Sequence, residues 1–282
     1  MKPFAFCFCC FTLATQIIAA QEGSFDRSVS VSGPVDLDIR TDSGGITVEP
    51  GQSSTVQIHA ILKAEGNWFG SGDVAGRIRE LERNPPVEQN GNTVRIGYVH
   101  DGNLLRGISM RVEVRTPADT HLRAHADSGG IHVEGLKGPI DCKTDSGGIQ
   151  VRDIQSDVHV AADSGGIRID HVDGAVTARV DSGGVEATNV TGQIDAQADS
   201  GSVRLSQTQA APIRAKADSG GVSVRLAKNA GYNLSVEADS GNISVPEMTV
   251  KSGFSSHHIQ GQVGSGGPPV EIRVSSGNVS VQ

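Results

Sequence analysis

The stretch DSGGIQV, from Asp145 to Val151, decides the fold because near copies of it recur at regular intervals along the chain. The aspartates that open the first five of these copies stand eighteen residues apart, and two more follow after nineteen and twenty-one residues. These are Asp127, Asp145, Asp163, Asp181, Asp199, Asp218 and Asp239. A last copy, SSGN from Ser275, follows after thirty-six residues, which is two periods. Such a repeat predicts stacked structural units, whereas a catalytic loop is normally needed once.

Apolar residues occupy fixed columns within each repeat, and polar residues alternate with them. The column after the glycines holds Ile131, Ile149, Ile167, Val185, Val203, Val222 and Ile243. A later column holds Ile140, Val158, Val176, Ile194, Ile213 and Leu234. The polar positions beside the first column are His132, Gln150, Arg168, Glu186, Arg204 and Ser223. Because alternation with a spacing of two is the strand period, each repeat predicts two short strands with one inward and one solvent-facing side.

One repeat cannot fold alone, since the few apolar side chains it buries do not offset the entropy lost in ordering its backbone. Hydrogen bonds to the next repeat must supply the difference, so identical strands should stack parallel and in register. We therefore predict an all-β fold, a parallel β-solenoid with about eighteen residues per coil, over residues 127–282. Its open ends would be sheet edges that need a cap.

The repeated corner has a structural and a chemical interpretation. In the structural one, the glycines adopt positive φ, the aspartate accepts hydrogen bonds from backbone N–H groups of its own turn, and the serine points into the narrow interior. In the chemical one, the seven aspartates named above form a ladder that binds calcium or another metal. The sequence favours the turn, because calcium needs six to eight oxygens and the glycine-rich pattern that binds it is missing. We expect no cofactor.

The N-terminal part, residues 21–126, predicts a β-rich capping region with one helix near residues 72–84. It contains an early copy of the motif, DSGGITVEP from Asp42. Val74, Ile78 and Leu81 have helical spacing. The preceding loop carries Trp68 and Phe69, which are candidates for gripping a sugar or a partner, although such residues also fold back over helix starts.

Residues 1–20 read as a signal peptide, with Lys2 before an apolar run and small residues at its end. We expect an exported protein that is not integral to a membrane once this segment is cleaved. Lipidation at Cys7, Cys9 or Cys10 is the alternative, although no lipobox precedes them. The mature chain keeps only Cys142, at an inward position, which predicts a structural role. The formal net charge of −8 argues against a nucleic-acid partner.

The run RTPADTHLRAHADSGGIHVEGLKGPIDCKTDSGGIQV, from Arg115 to Val151, and the ending GSGGPPVEIRVSSGNVSV resemble a family of bacterial exported proteins. This is the DUF4097 type, whose members carry the label of candidate adhesins. The resemblance extends from about Phe25 to Val281 and includes the helix-containing interruption. It implies a parallel β-helix-like fold and a periplasmic, surface or secreted location. It supplies no catalytic residues.

Three functions fit these observations. The first is an exported, non-enzymatic structural or binding protein, an adhesin or envelope scaffold whose partner is an envelope protein or a glycan. The second is a polysaccharide lyase or glycosidase, since parallel β-helices host such enzymes; it would need convergent carboxylates or a base beside calcium. The third is envelope-stress sensing through a protein partner. The motifs of serine hydrolases, zinc peptidases and dithiol proteins are missing, so we expect no enzyme.

Overall fold

The computed structural model describes residues 22–65, 73–99, 101–245, 249–252 and 257–282, with the backbone alone described over 249–252. The predicted signal peptide and the loop with Trp68 and Phe69 lie outside these residues. The described residues form twenty-five strands and one α-helix. The strands make two large sheets, sheet A with twelve strands and sheet B with thirteen, over one hydrophobic core.

Each repeat forms one coil that contributes a strand to both sheets. The strand before the DSGG corner lies in sheet B, and the strand after it lies in sheet A. The sheet B strands are β8 Thr120–Ser128, β10 Ile140–Ser146, β12 Val158–Ser164, β14 Val176–Ser182, β16 Ile194–Ser200, β18 Ile213–Ser219 and β20 Tyr232–Ser240. The sheet A strands are β9 Ile131–Glu134, β11 Ile149–Ile154, β13 Ile167–Val172, β15 Val185–Val190, β17 Val203–Gln207, β19 Val222–Arg225 and β21 Ile243–Ser244.

Neighbouring coils pair in parallel and in register, as the columns predict. Ile149 lies beside Ile131 on one side and Ile167 on the other. All three side chains are buried, with 1–2% of their surface exposed. The interior between the sheets is therefore a stack of identical apolar layers. The predicted all-β parallel solenoid of about eighteen residues per coil is confirmed, together with its β-rich cap and short helix.

The first glycine of the corner is required by the close approach of neighbouring coils. Gly165 has φ +131°, and a Cβ added there would lie 2.1 Å from the carbonyl oxygen of Gly147 in the preceding coil. The second glycine is less constrained, because a Cβ there would lie 3.1–3.3 Å from its nearest neighbour in most coils and 3.7 Å from it at Gly166. This difference explains why Ser202 occupies the second position in a later copy.

The predicted side-chain roles at the corner are wrong in two respects. The glycine N–H groups bond to the next coil, as in the 2.8 Å bond from Gly147 N to Ser164 O. Among the described residues, no corner aspartate accepts a hydrogen bond from an N–H of its own turn. The serines, such as Ser164, are exposed, because the stacked glycine backbones already fill the interior of the corner.

The early copy of the motif forms the first coil. It lies in β2 Val35–Ser43 and β3 Ile46–Pro50, which pair in parallel with β8 and β9, so that Ser43 lies opposite Ser128. The chain between this coil and β8 adds further strands to the far side of both sheets. These are β4 Thr55–Ala64, β5 Val87–Asn90, β6 Thr93–Ile96 and β7 Ile108–Thr116, together with β1 Glu22–Ser30 from the start of the chain. Both sheets therefore include strands from the N-terminal region and from the repeats after residue 127, without a break between them.

One helix, α1 Val74–Arg83, covers β1 at the edge of sheet A. Asp73 is its N-cap, and its carboxylate accepts a 2.7 Å bond from Gly76 N. Glu82 on the same helix accepts a 3.1 Å bond from Ser24 N on β1, which satisfies one edge donor of that strand. No helix in the described ranges has the length and apolar character needed to cross a membrane.

The last coil departs from sequence order. The C-terminal strands are β22 Thr249–Ser252, β23 His258–Val263, β24 Pro269–Ser276 and β25 Val279–Val281. Strand β24 lies between β18 and β20, and β25 lies between β19 and β21. Ser276 consequently has Ser219 on one side and Ser240 on the other. The end of the chain is thus built into the stack, and the antiparallel strands β23 and β22 follow β20 at the edge of sheet B.

Candidate functional site

The corner aspartates form one column along the edge of sheet B, which we call the aspartate column. All seven predicted aspartates belong to it, and Asp42 of the first coil extends it. Registered pairs on both sides of each aspartate, such as Thr144 with Ala162 and Ser146 with Ser164, hold the column in line. Neighbouring members are about 4.8 Å apart along the stack. Ser275 interrupts the column between Asp218 and Asp239 because the last coil is inserted there.

Some members of the column are neutralised by a basic residue two positions earlier on the same strand. Lys143 Nζ lies 3.5 Å from Asp145 Oδ1, and Lys216 Nζ lies 3.1 Å from Asp218 Oδ1. In the next coil, Ala161 occupies the position equivalent to Lys143, so Asp163 has no basic partner there. The column therefore combines paired carboxylates with carboxylates that face only their neighbours.

A histidine joins the column at its second coil. His125 Nε2 lies 2.9 Å from Asp127 Oδ1. In the part of the chain that the structure describes, His125, Asp127 and Asp145 are the one group of three metal-ligating side chains whose ligand atoms lie within 4.8 Å of one another. The sequence analysis missed His125, although extending the outward column of Lys143 one period upstream leads to it.

A surface groove lies on the outer face of sheet A, over β1, β4, β7 and β3. This groove has a volume of about 690 Å³. Its floor is two rows of side chains that run across the four strands in register. The rows are Asp26, His59, Glu113 and Thr47, and Ser28, Gln57, Arg115 and Glu49. Sequence periodicity could not find the groove, because the order of these strands follows no repeat.

Two ion pairs link four of the charged side chains of the groove. His59 Nδ1 lies 2.8 Å from Asp26 Oδ1, and Arg115 Nε lies 4.0 Å from Glu49 Oε2. All four side chains are also partly exposed to solvent. The groove thus presents hydrogen-bond donors and acceptors on neighbouring strands, which suits a polar ligand that forms several hydrogen bonds.

The first row of the groove continues across the whole of sheet A. It runs from Thr47 through the predicted outward positions: His132, Gln150, Arg168, Glu186, Arg204 and Ser223. Within this row, Arg168 Nη2 donates a 2.7 Å bond to Glu186 Oε2 of the next coil. The outer face of sheet A is therefore a ladder of polar side chains whose spacing is set by the backbone.

On sheet B, Tyr98 lies between two arginines at the N-terminal end. The guanidinium carbons of Arg40 and Arg95 are 5.1 and 4.9 Å from the centre of its ring. Burial, together with a hydrogen bond between its hydroxyl and Asp38, raises the pKa of Tyr98. This cluster holds β6 against β2 by cation–π contacts.

Three further residues singled out in the sequence are Trp68, Phe69 and Cys142. Trp68 and Phe69 lie outside the described residues, so the proposal that they grip a partner stays a prediction. Cys142 is buried in the core, where burial raises the pKa of its thiol. A buried thiol of this kind is a packing group.

The chain matches the profile of one protein family, and its fold is similar to several solved structures. The profile of the Toastrack DUF4097 family matches residues 35–282. A candidate cell adhesion protein from Clostridium sporogenes ATCC 15579 is 10% identical, with a TM-score of 0.26 over 92% of this chain and 99% of that one. A candidate adhesin from Bacteroides fragilis NCTC 9343 is 14% identical, with a TM-score of 0.42 over 92% and 97%. No curated protein gave a significant match.

Proposed function

The chain belongs to the Toastrack DUF4097 family, and we propose that it is an exported, non-enzymatic binding or scaffold protein of the cell envelope. Its outer faces hold another envelope protein or a glycan, in the manner of an adhesin. The predicted signal peptide supports export.

The observation that carries this proposal is the polar ladder of sheet A and the groove at its N-terminal end. Thr47 lies beside Glu113 in the groove and beside His132 in the ladder, so the two surfaces are continuous. Every side chain in this surface lies on a strand that is hydrogen-bonded to a neighbouring strand on both sides or, for β1 at the edge, is covered by α1. A rigid array of this kind loses little conformational entropy when it binds an extended polar partner.

The charges of the groove favour binding over catalysis. Two of the three groove carboxylates, Asp26 and Glu49, each face an imidazole or cationic partner, and they lie in different rows of the floor. The third, Glu113, lies in the row of Asp26, with His59 between them. A glycosidase needs two carboxylates placed on either side of one bond, with one of them able to donate a proton. Carboxylates held in ion pairs serve better as hydrogen-bond acceptors for sugar hydroxyls or protein donors.

The proposal is tested by a glycan array and by capture of partners from the native envelope, both with the mature protein. We expect a saturable partner whose binding falls at least about tenfold, the loss of a bidentate or charged contact, in the double variant His59→Ala with Arg115→Ala. Arg179→Ala is the matched control, because Arg179 is exposed on sheet B and lies outside the groove.

Two results would contradict the proposal. Turnover in a general polysaccharide hydrolysis screen would assign the groove to the rival class of polysaccharide-active enzymes. Equal partner binding by the groove variant and by wild type would place the binding surface elsewhere. A captured envelope-stress protein would keep the binding role and identify the partner as a sensor.

A further inference from the structure

The cluster of His125, Asp127 and Asp145 combines two ligand types in a rigid setting. His125 and Asp127 are outward residues of β8, and Asp145 is the equivalent corner residue of β10. The two strands are paired in register from Ile140 to Ser146. All three ligand atoms lie within 4.8 Å of one another, and the separation between His125 Nε2 and Asp127 Oδ1 is 2.9 Å. Ligands about 2.0–2.2 Å from one metal ion are themselves about 3–3.5 Å apart, so small side-chain rotations suffice.

A second observation concerns Asp145 itself. Its side chain is 46% exposed, but its Oδ1 atom is enclosed from solvent and accepts no hydrogen bond. The nearest cationic atom is Lys143 Nζ at 3.5 Å, which is too long for a hydrogen bond. A carboxylate oxygen that is enclosed without a donor is unfavourable. A cation between Asp145 and His125 would supply the missing interaction.

The cluster is distinct from the rest of the aspartate column. The residue two positions before the corner differs from coil to coil among the described coils: Arg40, His125, Lys143, Ala161, Arg179, Gln197, Lys216, Arg273 and Glu237. Only the coil of Asp127 therefore adds an imidazole to the carboxylates. Carboxylates alone suit calcium or magnesium, whereas an imidazole with two carboxylates suits zinc and related transition metals.

We propose that His125, Asp127 and Asp145 bind one divalent transition-metal ion of the zinc class. The imidazole and one oxygen from each carboxylate are three protein ligands, which leaves a fourth position for water. The Lys143 ammonium, which lies 3.5 Å from Asp145 Oδ1, competes with the metal for this carboxylate. This site is independent of the groove and of the partner proposed for it.

Calorimetric titration with zinc chloride tests the site in the full chain without an affinity tag. Cys7, Cys9 and Cys10 are changed to Ser beforehand, so that their thiols do not bind the metal. We expect one zinc ion per chain. The variant His125→Gln should weaken binding about tenfold or more, as should Asp145→Asn. The variant Lys143→Ala should strengthen it, which is a gain that misfolding cannot produce.

Matched controls separate this cluster from other histidines and from the column as a whole. His159→Gln removes an exposed histidine of the same sheet, and Asp163→Asn removes a column member without a histidine; both should bind zinc as the parent does. The double variant His257→Gln with His258→Gln excludes the other histidine pair. The site would be refuted by unchanged binding in His125→Gln, by an equal loss in Asp163→Asn, or by absence of zinc binding at about 100 µM, a concentration that a site of this ligand set should fill.

Discussion

The two corner glycines, although adjacent in sequence, meet different constraints. Gly165 faces the carbonyl oxygen of Gly147 at a distance that leaves no room for a side chain, and its φ is positive. Gly166 is surrounded by more space. The close approach of the coils thus requires glycine at the first position of the pair, whereas at the second position glycine is only favoured.

Substitution of these two glycines should have unequal effects. Gly165→Ala should lower the free energy of unfolding by about 2–4 kcal/mol, because it adds a backbone clash to a strained φ. Gly166→Ser, which copies Ser202, should change it by about 0.5 kcal/mol or less. Urea denaturation of both variants measures the difference. Similar losses in the two variants would mean that the close approach of the coils is not what fixes the first glycine.

A second column of unusual backbone lies where the sheet A strands leave the sheet. Gly135, Asp153, His171 and Asn189 are eighteen residues apart and all have φ between +54° and +70°. Aspartate, asparagine and histidine are the non-glycine residues that best tolerate this region. The sequence analysis missed this column because its side chains share no hydrophobic pattern.

A β-branched residue in this second column should therefore be destabilising. We expect His171→Val to lower the free energy of unfolding by about 1 kcal/mol or more, since valine resists positive φ. His171→Gly should be close to neutral. The control His159→Val lies on a strand, where valine is favoured, and should cost nothing measurable. Thermal or urea unfolding that gave equal values for His171→Val and His159→Val would contradict the backbone assignment.

At the scale of the strands, the aspartate column sets like charges beside one another along the stack. Carboxylates about 4.8 Å apart repel by roughly 1 kcal/mol in a water-like environment, and salt reduces this repulsion. Asp163 has aspartates in both neighbouring coils and no basic residue at position 161. Asp218 instead has Lys216 at 3.1 Å.

Removing one charge from the column should consequently raise the free energy of unfolding at Asp163 but not at Asp218. Asp163→Asn should raise the free energy of unfolding by a few tenths of a kcal/mol at low ionic strength, and the gain should shrink at high salt. Asp218→Asn should bring no gain, because it also removes an ion pair. Urea unfolding of both variants and wild type at low and high salt measures these differences in the free energy of unfolding. A loss of stability in Asp163→Asn would show that the carboxylate has a bonding role at its corner.

Side chains of adjacent coils also create a pH dependence at Asp170. The hydroxyl of Thr188 donates a 2.8 Å bond to Asp170 Oδ1, and Asn189 donates another. These bonds, led by that of Thr188, hold the pKa of Asp170 below its ordinary value despite partial burial. The folded pKa lies below the unfolded one, so the stabilisation is present above about pH 4 and is lost as the pH falls through the folded pKa.

The variant Thr188→Val should therefore lose stability at neutral pH, and the loss should shrink as the pH is lowered through the folded pKa of Asp170, where the bond to an ionised Asp170 weakens in wild type as well. Urea unfolding of wild type and variant at neutral pH and at a series of pH values below about 4 gives the comparison. An equal difference at all of these pH values would assign the loss to packing of Thr188 and not to its bond with the carboxylate.

At the scale of the whole molecule, the repeat predicted most of the solenoid. The spacing of two fixed the inward column of Ile131 and Ile149, and the eighteen-residue period fixed their register. The bonding of the corner could not be predicted, because its N–H groups find partners in the next coil and a local motif does not show them. Of the proposed metal site, the sequence offered both aspartates, and His125 stands one period before Lys143, but only the pairing of β8 and β10 shows that the three side chains lie together.

The order of the coils was beyond sequence reasoning for a physical reason. The copy at Ser275 has the same columns as its neighbours, so it fits equally well at the end of the stack or within it. In the structure, its buried side chains Val270, Ile272 and Val274 are sandwiched between β18 and β20. The groove likewise depends on the lateral order of β1, β4, β7 and β3, about which periodicity says nothing.

Disulfide cross-linking tests the registered stack and its order most directly. Directly paired residues of neighbouring coils are about 4.8 Å apart, within the range a disulfide spans, whereas residues two coils apart are about twice as far. In protein with Cys7, Cys9 and Cys10 changed to Ser, oxidation should cross-link Ser219→Cys with Ser276→Cys, and Ser240→Cys with Ser276→Cys. The pair Ser219→Cys with Ser240→Cys should stay reduced. Efficient cross-linking of that last pair, with none to position 276, would contradict the inserted coil and the register on which the account depends.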